Sequence, residues 1–167
     1  MTKDNTGAVT LAVGNSGGSS TFSGVIDNGL GGTIAFTKNG AGTQILSGMN
    51  TYGGATTVNG GKLLINSPGI LGGNSVVTVN NGCTLGGSGT IYGTINMVPG
   101  SMLVPGDTNV IATLTLANNS ANTLTLNGNT LRYDISNVAG VCDKIALTGI
   151  SGGLALNGVN TLSLIHI

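Results

Sequence analysis

The stretch Val58-Asn59-Gly60-Gly61-Lys62-Leu63-Leu64 returns as Val79-Asn80-Asn81-Gly82-Cys83-Thr84-Leu85, and again as Met97-Val98-Pro99-Gly100-Ser101-Met102-Leu103. Each copy holds an apolar residue, a turn, a glycine and a leucine. A like step leads from Leu103 to Leu124, so the period is about 20, the mark of a repeat architecture. A second correspondence sets Met1–Leu11 on Phe36–Leu46, sharing a Thr-Lys pair, one glycine and the final leucine. That displacement is not a multiple of the first spacing, so it implies insertions or a longer unit.

Within each unit apolar and polar residues alternate, as in a strand with one buried face. Leu114 and Leu116 alternate with Thr113 and Thr115, and Leu124 and Leu126 with Thr123 and Thr125. Ile91, Ile95 and Met97 share a side, and Ile145 and Leu147 repeat the scheme. In Leu131-Arg132-Tyr133-Asp134-Ile135 the charges take the outward positions. Asn-Gly steps at 28–29, 39–40, 59–60, 81–82, 127–128 and 157–158 mark tight turns, because both residues tolerate positive φ. Antiparallel hairpins or a stacked parallel solenoid could use such turns. The period favours the solenoid, which would stack Leu64, Leu85, Leu103 and Leu124 in one internal ladder. About eight coils at roughly 4.8 Å each would make a rod of roughly 40 Å.

Composition agrees with an all-β fold. Of 167 residues, 31 are glycine, and glycine, asparagine, threonine and serine together fill 86 positions. Leu, Ile, Val and Phe supply 46 residues, too many for a disordered chain. Glutamate is absent, and five cations balance five acids. That balance gives no basic field to hold phosphates, so a nucleic-acid partner is not expected. Cys83 and Cys142 have no nearby Cys or His and read as small buried hydrophobes. No apolar run approaches the ~18 residues of a membrane helix. Thr2-Lys3-Asp4-Asn5 does not begin a secretory signal, which for an exported parent would lie outside this sequence.

The last six residues, Leu162–Ile167, match one reading frame of a transposase end sequence used to prepare DNA libraries. They are expected to be an adapter-derived tail on a metagenomic fragment, leaving residues 1–161 as the solenoid and His166 without functional weight. A natural final strand is the other reading, since Leu162 and Leu164 continue an alternation.

The segment Phe36–Leu63 contains, in order, Phe36-Thr37-Lys38, Gly40-Ala41-Gly42-Thr43, Leu46-Ser47-Gly48, Asn50-Thr51-Tyr52, Gly53-Gly54-Ala55-Thr56 and Gly61-Lys62-Leu63. It closely resembles the passenger-associated, or autotransporter-associated, β-strand repeat. Gly87-Ser88-Gly89-Thr90-Ile91, Val104-Pro105-Gly106-Asp107 and Asp143–Gly149 look like its continuation, so the resemblance covers about residues 33–160. Gln44, Ala55 and Cys83 depart from the family pattern without disturbing the fold argument. The resemblance implies a right-handed parallel β-helix in the exported, surface-displayed passenger of a Gram-negative-type bacterium. It also implies a membrane barrel or other anchor beyond this sequence. The family repeat has no catalytic residues to carry over.

Asp134 and Asp143, with Arg132 and Lys144, are the chain's one charge concentration. Sugar-cleaving β-helices need paired carboxylates converging on a groove. The plainer reading of these four is exposed charge for solubility. Asp107 stands alone among the acids as a calcium ligand. Gly86-Gly87-Ser88-Gly89-Thr90 lacks the Lys-Ser/Thr ending of a phosphate loop and reads as a turn. Tyr52 reads as packing at a coil corner rather than as an exposed contact. No catalytic, cofactor-binding or metal residue is named, and no cofactor is expected. The function expected is a non-enzymatic stalk or adhesin-like scaffold at the cell surface, with host-surface or glycan ligands reached through the parent protein. The alternatives are a fragment of a carbohydrate-active β-helix and a fibre or surface-layer subunit. Open first and last coils make aggregation the expectation for the isolated chain.

Overall fold

The computed structural model describes residues 7–72, 76–117, 124–136, 138, 141–148 and 154–166. Among these residues no helix forms, and short strands wind through successive turns. The first turn holds β1 (Ala8–Val13) and β2 (Ser20–Phe22); the second holds β3 (Thr33–Lys38), β4 (Thr43–Leu46) and β5 (Met49–Asn50). The third is β6 (Thr56–Val58), β7 (Lys62–Ile65) and β8 (Ile70–Leu71), and the fourth β9 (Val77–Val79), β10 (Thr84–Gly87) and β11 (Thr90–Tyr92). The fifth is β12 (Ile95–Met97), β13 (Met102–Pro105) and β14 (Thr113–Ala117). The sixth is β15 (Leu124–Asn127), β16 (Thr130–Ile135) and β17 (Lys144–Thr148), and the seventh β18 (Leu154–Asn157) and β19 (Thr161–His166).

Each strand pairs with its counterpart one turn away. One face runs β1-β3-β6-β9-β12-β15-β18, a second β2-β4-β7-β10-β13-β16-β19, and a third β5-β8-β11-β14-β17. The pairings between these strands are parallel, as in β6 with β9 and β7 with β10. A hairpin barrel would pair consecutive strands antiparallel, so the parallel β-solenoid expected from the period is borne out.

Turn length is not constant. On the first face Phe36 is registered with Thr56, Thr56 with Val77 and Val77 with Ile95, which spaces these turns almost evenly along the chain. The next pairs, Asn96 with Thr125 and Leu124 with Leu154, stand much further apart in sequence. The described residues therefore trace seven turns, against the eight or so that a uniform period implied.

The leucine ladder needs correction for the same reason. It runs Leu63-Leu85-Leu103-Leu131, with Leu63, Leu85 and Leu103 fully buried. Leu64 pairs with Gly86 and points outward, because a one-residue slip in a strand reverses every side chain. Leu124 lies on the first face, since in the lengthened fifth turn one even step beyond Leu103 lands on the wrong sheet. The correspondence of Met1–Leu11 with Phe36–Leu46 also fails. Leu11 is registered with Phe36 rather than Leu46, which lies on the second face. Residues 1–6 of that correspondence lie outside the described residues.

The interior is a continuous apolar column of one or two side chains per face per turn, including Phe36, Val58, Ile65, Val79, Ile91, Leu114 and Leu126. Each such burial contributes about 1.5–3 kcal/mol. The second turn interrupts this core with three polar side chains, one on each face: Lys38, Gln44 and Asn50. Tyr52, 2 % exposed, packs against Phe36 with ring centroids 6.1 Å apart and shares a 2.8 Å hydrogen bond with the Thr56 hydroxyl. Burial pushes its phenol up to about 12, the Thr56 bond opposing. The corner-packing reading of Tyr52 holds. Cys83 is likewise buried, while Cys142 is half-buried.

Candidate functional site

Side-chain chemistry concentrates where the fifth and sixth turns outgrow the others. After β13 the chain leaves the sheet at Gly106 and returns at Ala112, and after β16 it makes a second excursion before β17. Gly106 forms an antiparallel bridge with Gly87, and Asp107 forms one with Val110 around Asn109, whose φ of 61° suits a tight reversal. The first excursion lies over the outside of the second face. Lys62 Nζ on β7 meets Asp107 Oδ1 at 2.9 Å, although β10 lies between β7 and β13.

Three further charged side chains, Arg132, Asp134 and Asp143, pin this excursion. Asp134 Oδ2 accepts the Val110 N–H at 3.1 Å, and Asp143 Oδ1 accepts the Ala112 N–H at 2.7 Å. Asp143 Oδ2 accepts the Asp134 N–H at 2.7 Å. Arg132 donates to Asp134 Oδ1 at 3.2 Å and to the Thr108 hydroxyl at 2.9 Å. The outward, solvated placement expected of these acids is therefore corrected: Asp134 is 0 % and Asp143 3 % exposed. Alternation put Asp134 outward, but the excursions fold back over it. Lys144 stays exposed and joins no ion pair among the described residues.

Burial raises the Asp143 carboxyl above the ordinary aspartate range, and the charge of Asp134 adds to this; backbone hydrogen bonds and Arg132 offset part of it. Burial also pushes Asp107 upward, but hydrogen bonds from Lys62 and Thr108 and the ammonium charge outweigh it and hold that carboxyl low. Tyr133 is pushed up by burial and then by Asp143 and Cys142. Two close carboxylates are thus brought together as the sequence allowed, but all four of their oxygens are occupied. Each binds a backbone N–H or Arg132, which suits a clasp holding a loop rather than a site awaiting substrate. Among the described residues no three of His, Cys, Asp and Glu converge as metal ligands.

A shallower feature lies on the first face, where β12 and β15 share a single registered pair, Asn96 with Thr125. A cleft of about 460 Å³ opens there, lined by Thr94, Asn96, Met97, Val98, Thr125 and Asn127 among others. The Gly86–Thr90 segment forms the end of β10 and the turn into β11, as expected of it.

Sequence reasoning missed Lys38, which is fully buried in a column of Val13, Val58 and Val79. Its Nζ donates to the backbone carbonyls of Asn39, Gly40 and Gly60. The signal was available, since Lys38 follows Phe36 at the next-but-one position and so lies on the same side of β3.

Residues 36–65, from within β3 to the end of β7, match the family model described as passenger-associated-transport-repeat. A curated relative, the adhesin BmaC autotransporter of Brucella suis biovar 1 (strain 1330), is 38% identical over 107 residues, 60% of this chain. The chain spans about 3% of that relative's length. No solved structure gives a significant match. The expected autotransporter passenger repeat is thereby borne out: residues 36–65 carry it, wound as the second and third turns of a parallel β-solenoid.

Proposed function

We propose that this chain is a section of the exported, surface-displayed passenger of an autotransporter-like protein from a Gram-negative-type bacterium, where it works as a non-enzymatic stalk or adhesive scaffold. The observation that carries this reading is the parallel registration that links turn to turn through the passenger-associated-transport-repeat. In such a rod each turn's backbone is hydrogen-bonded to the next, giving a stiff spacer that holds more distal segments away from the cell. The name of the curated relative, an adhesin, supports the adhesive part. The Asp134–Asp143 pair supports the non-enzymatic part, since both carboxylates hold backbone amides. Glycans or host-surface proteins would be met through the parent protein, which would end in a membrane barrel or another anchor. Residues 162–167 remain assigned to an adapter-derived tail under this reading.

The test is the complete parent gene expressed in a Gram-negative host. Antibody against this section should label intact cells, and deleting the segment that encodes it should reduce adhesion to host cells or immobilised glycans. Labelling only after the outer membrane is permeabilised would overturn the surface assignment. Release of reducing ends from a polysaccharide panel by the purified passenger would overturn the non-enzymatic one.

A further inference from the structure

We propose that Asn127-Gly128 and Asn157-Gly158 are sites of spontaneous deamidation, and that a ladder of asparagine side chains shields the same dipeptide at Asn39-Gly40 and Asn59-Gly60. The four asparagines occupy one column at the corner between the first and second faces. The backbone N–H groups of Asn39, Asn59, Asn80 and Val98 donate in turn to Val13, Lys38, Val58 and Val79, which fixes their common level. Asn96 is registered with Thr125, so Val98 stands level with Asn127, and Asn127 is registered with Asn157.

In the upper half of this column the side chains are linked. Asn39 Nδ2 donates to Asn15 Oδ1 at 2.8 Å, Asn59 Nδ2 to Asn39 Oδ1 at 3.0 Å, and Asn80 Nδ2 to Asn59 Oδ1 at 2.8 Å. Val98 has no amide to pass the chain on. Below it Asn127 and Asn157 are exposed, and neither side-chain amide is hydrogen-bonded among the described residues. The backbone does not set Asn39 apart from the exposed pair, since Gly40, Gly128 and Gly158 have φ of 66°, 71° and 63°; Gly60 lies outside the left-handed region, so Asn39 is the like-for-like comparison.

The chemistry needs only water. The backbone nitrogen of the glycine attacks the asparagine Cγ, and a C–N bond forms while the Cγ–Nδ2 bond breaks. The amide proton passes to solvent and ammonia leaves. Water then opens the cyclic imide at either carbonyl, giving aspartate or isoaspartate. Glycine favours the step because no side chain hinders the approach. Cγ must first swing toward the following nitrogen, and at Asn39 and Asn59 that motion breaks both amide hydrogen bonds, each slowing the step by up to about tenfold. Conversion at both lower sites would place two negative charges opposite each other on paired strands, weakening the last turn.

The experiment incubates the purified chain at pH 8.5 and 37 °C and follows each Asn-Gly peptide by mass spectrometry with isoaspartate detection. The expected result is loss at Asn127 and Asn157 at least about tenfold faster than at Asn39 and Asn59. The four rates should converge in concentrated urea, where only local sequence acts. Native rates that are alike, or faster at Asn39 and Asn59, overturn the proposal. Asn15→Ala, which removes only the partner of Asn39 Nδ2, should speed Asn39 and leave Asn157 unchanged; no change at Asn39 overturns the shielding role of the ladder.

Discussion

Lys38 Nζ in the second turn donates to the carbonyl oxygen of Gly60 in the third, at 3.1 Å, from a position that is 0 % exposed. With the carbonyls of Asn39 and Gly40 it finds three acceptors for three donors, so the ammonium is satisfied without a carboxylate. Gln44 and Asn50 repeat the pattern in the same turn. Asn50 accepts from Ile26 N and donates to the carbonyls of Gly48 and Ile70, joining three successive turns. Gln44 accepts from the Ser20 hydroxyl and donates to the Ile45 carbonyl. A polar layer of this kind fixes register, since a slipped turn would leave each group buried and unpaired.

Lys38→Ala is expected to cost about 2–4 kcal/mol through the cavity and the orphaned carbonyls, and Lys38→Met less, because it refills the column. Burial lowers the Lys38 pKa in the folded chain below its ordinary 10.5. In the window between the two values the unfolded chain holds more protons, so stability rises with pH there. The urea midpoint of the parent measured against that of Lys38→Met should rise with pH up to 10.5, a difference in which the opposing contributions of the raised Tyr52 and Tyr133 phenols cancel.

The two excursion acids should titrate on opposite sides of ordinary aspartate. The raised Asp143 value means the folded chain takes up that proton first on acidification. Its contribution therefore declines as pH rises from 3.8 through the folded value. Asp107 is held low, so its contribution is present above 3.8 and lost as pH falls through its lower folded value. Carboxyl carbon NMR should place the Asp143 midpoint above that of Asp107, and the reverse order would refute the clasp geometry. Asp143→Ala, which orphans the N–H groups of Ala112 and Asp134, should cost about 2–4 kcal/mol.

How much of this was legible depends on what each signal measures. The Val58–Leu64 repeat reported the parallel stacking correctly, because vertical pairing needs only an equal turn length and β6, β9 and β12 keep it. The Leu63-Leu64 doublet could not reveal which leucine faces inward, since both are buried and alternation does not rank them. Asp134 and Asp143 were legible as a pair but not as buried groups. Their burial comes from excursions after β13 and β16, whose path no strand period encodes. Asparagine rows at repeated positions read as ladders that knit adjacent coils together, and the structure shows which ones join: Asn39, Asn59 and Asn80 share one column with Asn15, and Val98 ends it.

Two glycines without positive φ separate steric need from chain entropy. A Cβ on Gly54 would collide with the Ile34 carbonyl in the second turn, whereas one on Gly18 meets only the Ser16 hydroxyl at 4.0 Å. Gly54→Ala should cost about 1–3 kcal/mol by forcing two turns apart. Gly18→Ala should be neutral or stabilise by up to about 1 kcal/mol through the unfolded chain. Thermal melts of the two variants would reject the close-packed corner if they shifted alike.

Leu103 and Leu64 are both almost wholly buried, but in different places, and their response to one distant substitution should show it. Leu103 sits in the solenoid interior, paired with Leu85 and Leu131. Leu64 faces outward on β7, on the same side as Lys62, whose ammonium grips Asp107 of the excursion. The excursion anchored at Lys62 is the segment that would cover it. Either leucine changed to alanine should cost about 2–5 kcal/mol. Asp107→Ala alone should cost under about 1 kcal/mol, since its pair with Lys62 is half-exposed. Combined with Leu103→Ala it should add within about 0.5 kcal/mol, while with Leu64→Ala the two should interact by more than that, because loosening the excursion uncovers Leu64 first. Urea unfolding of the single and double variants measures both cycles, and additivity for Leu64 with Asp107 would mean that something other than the excursion shields the outer face of β7.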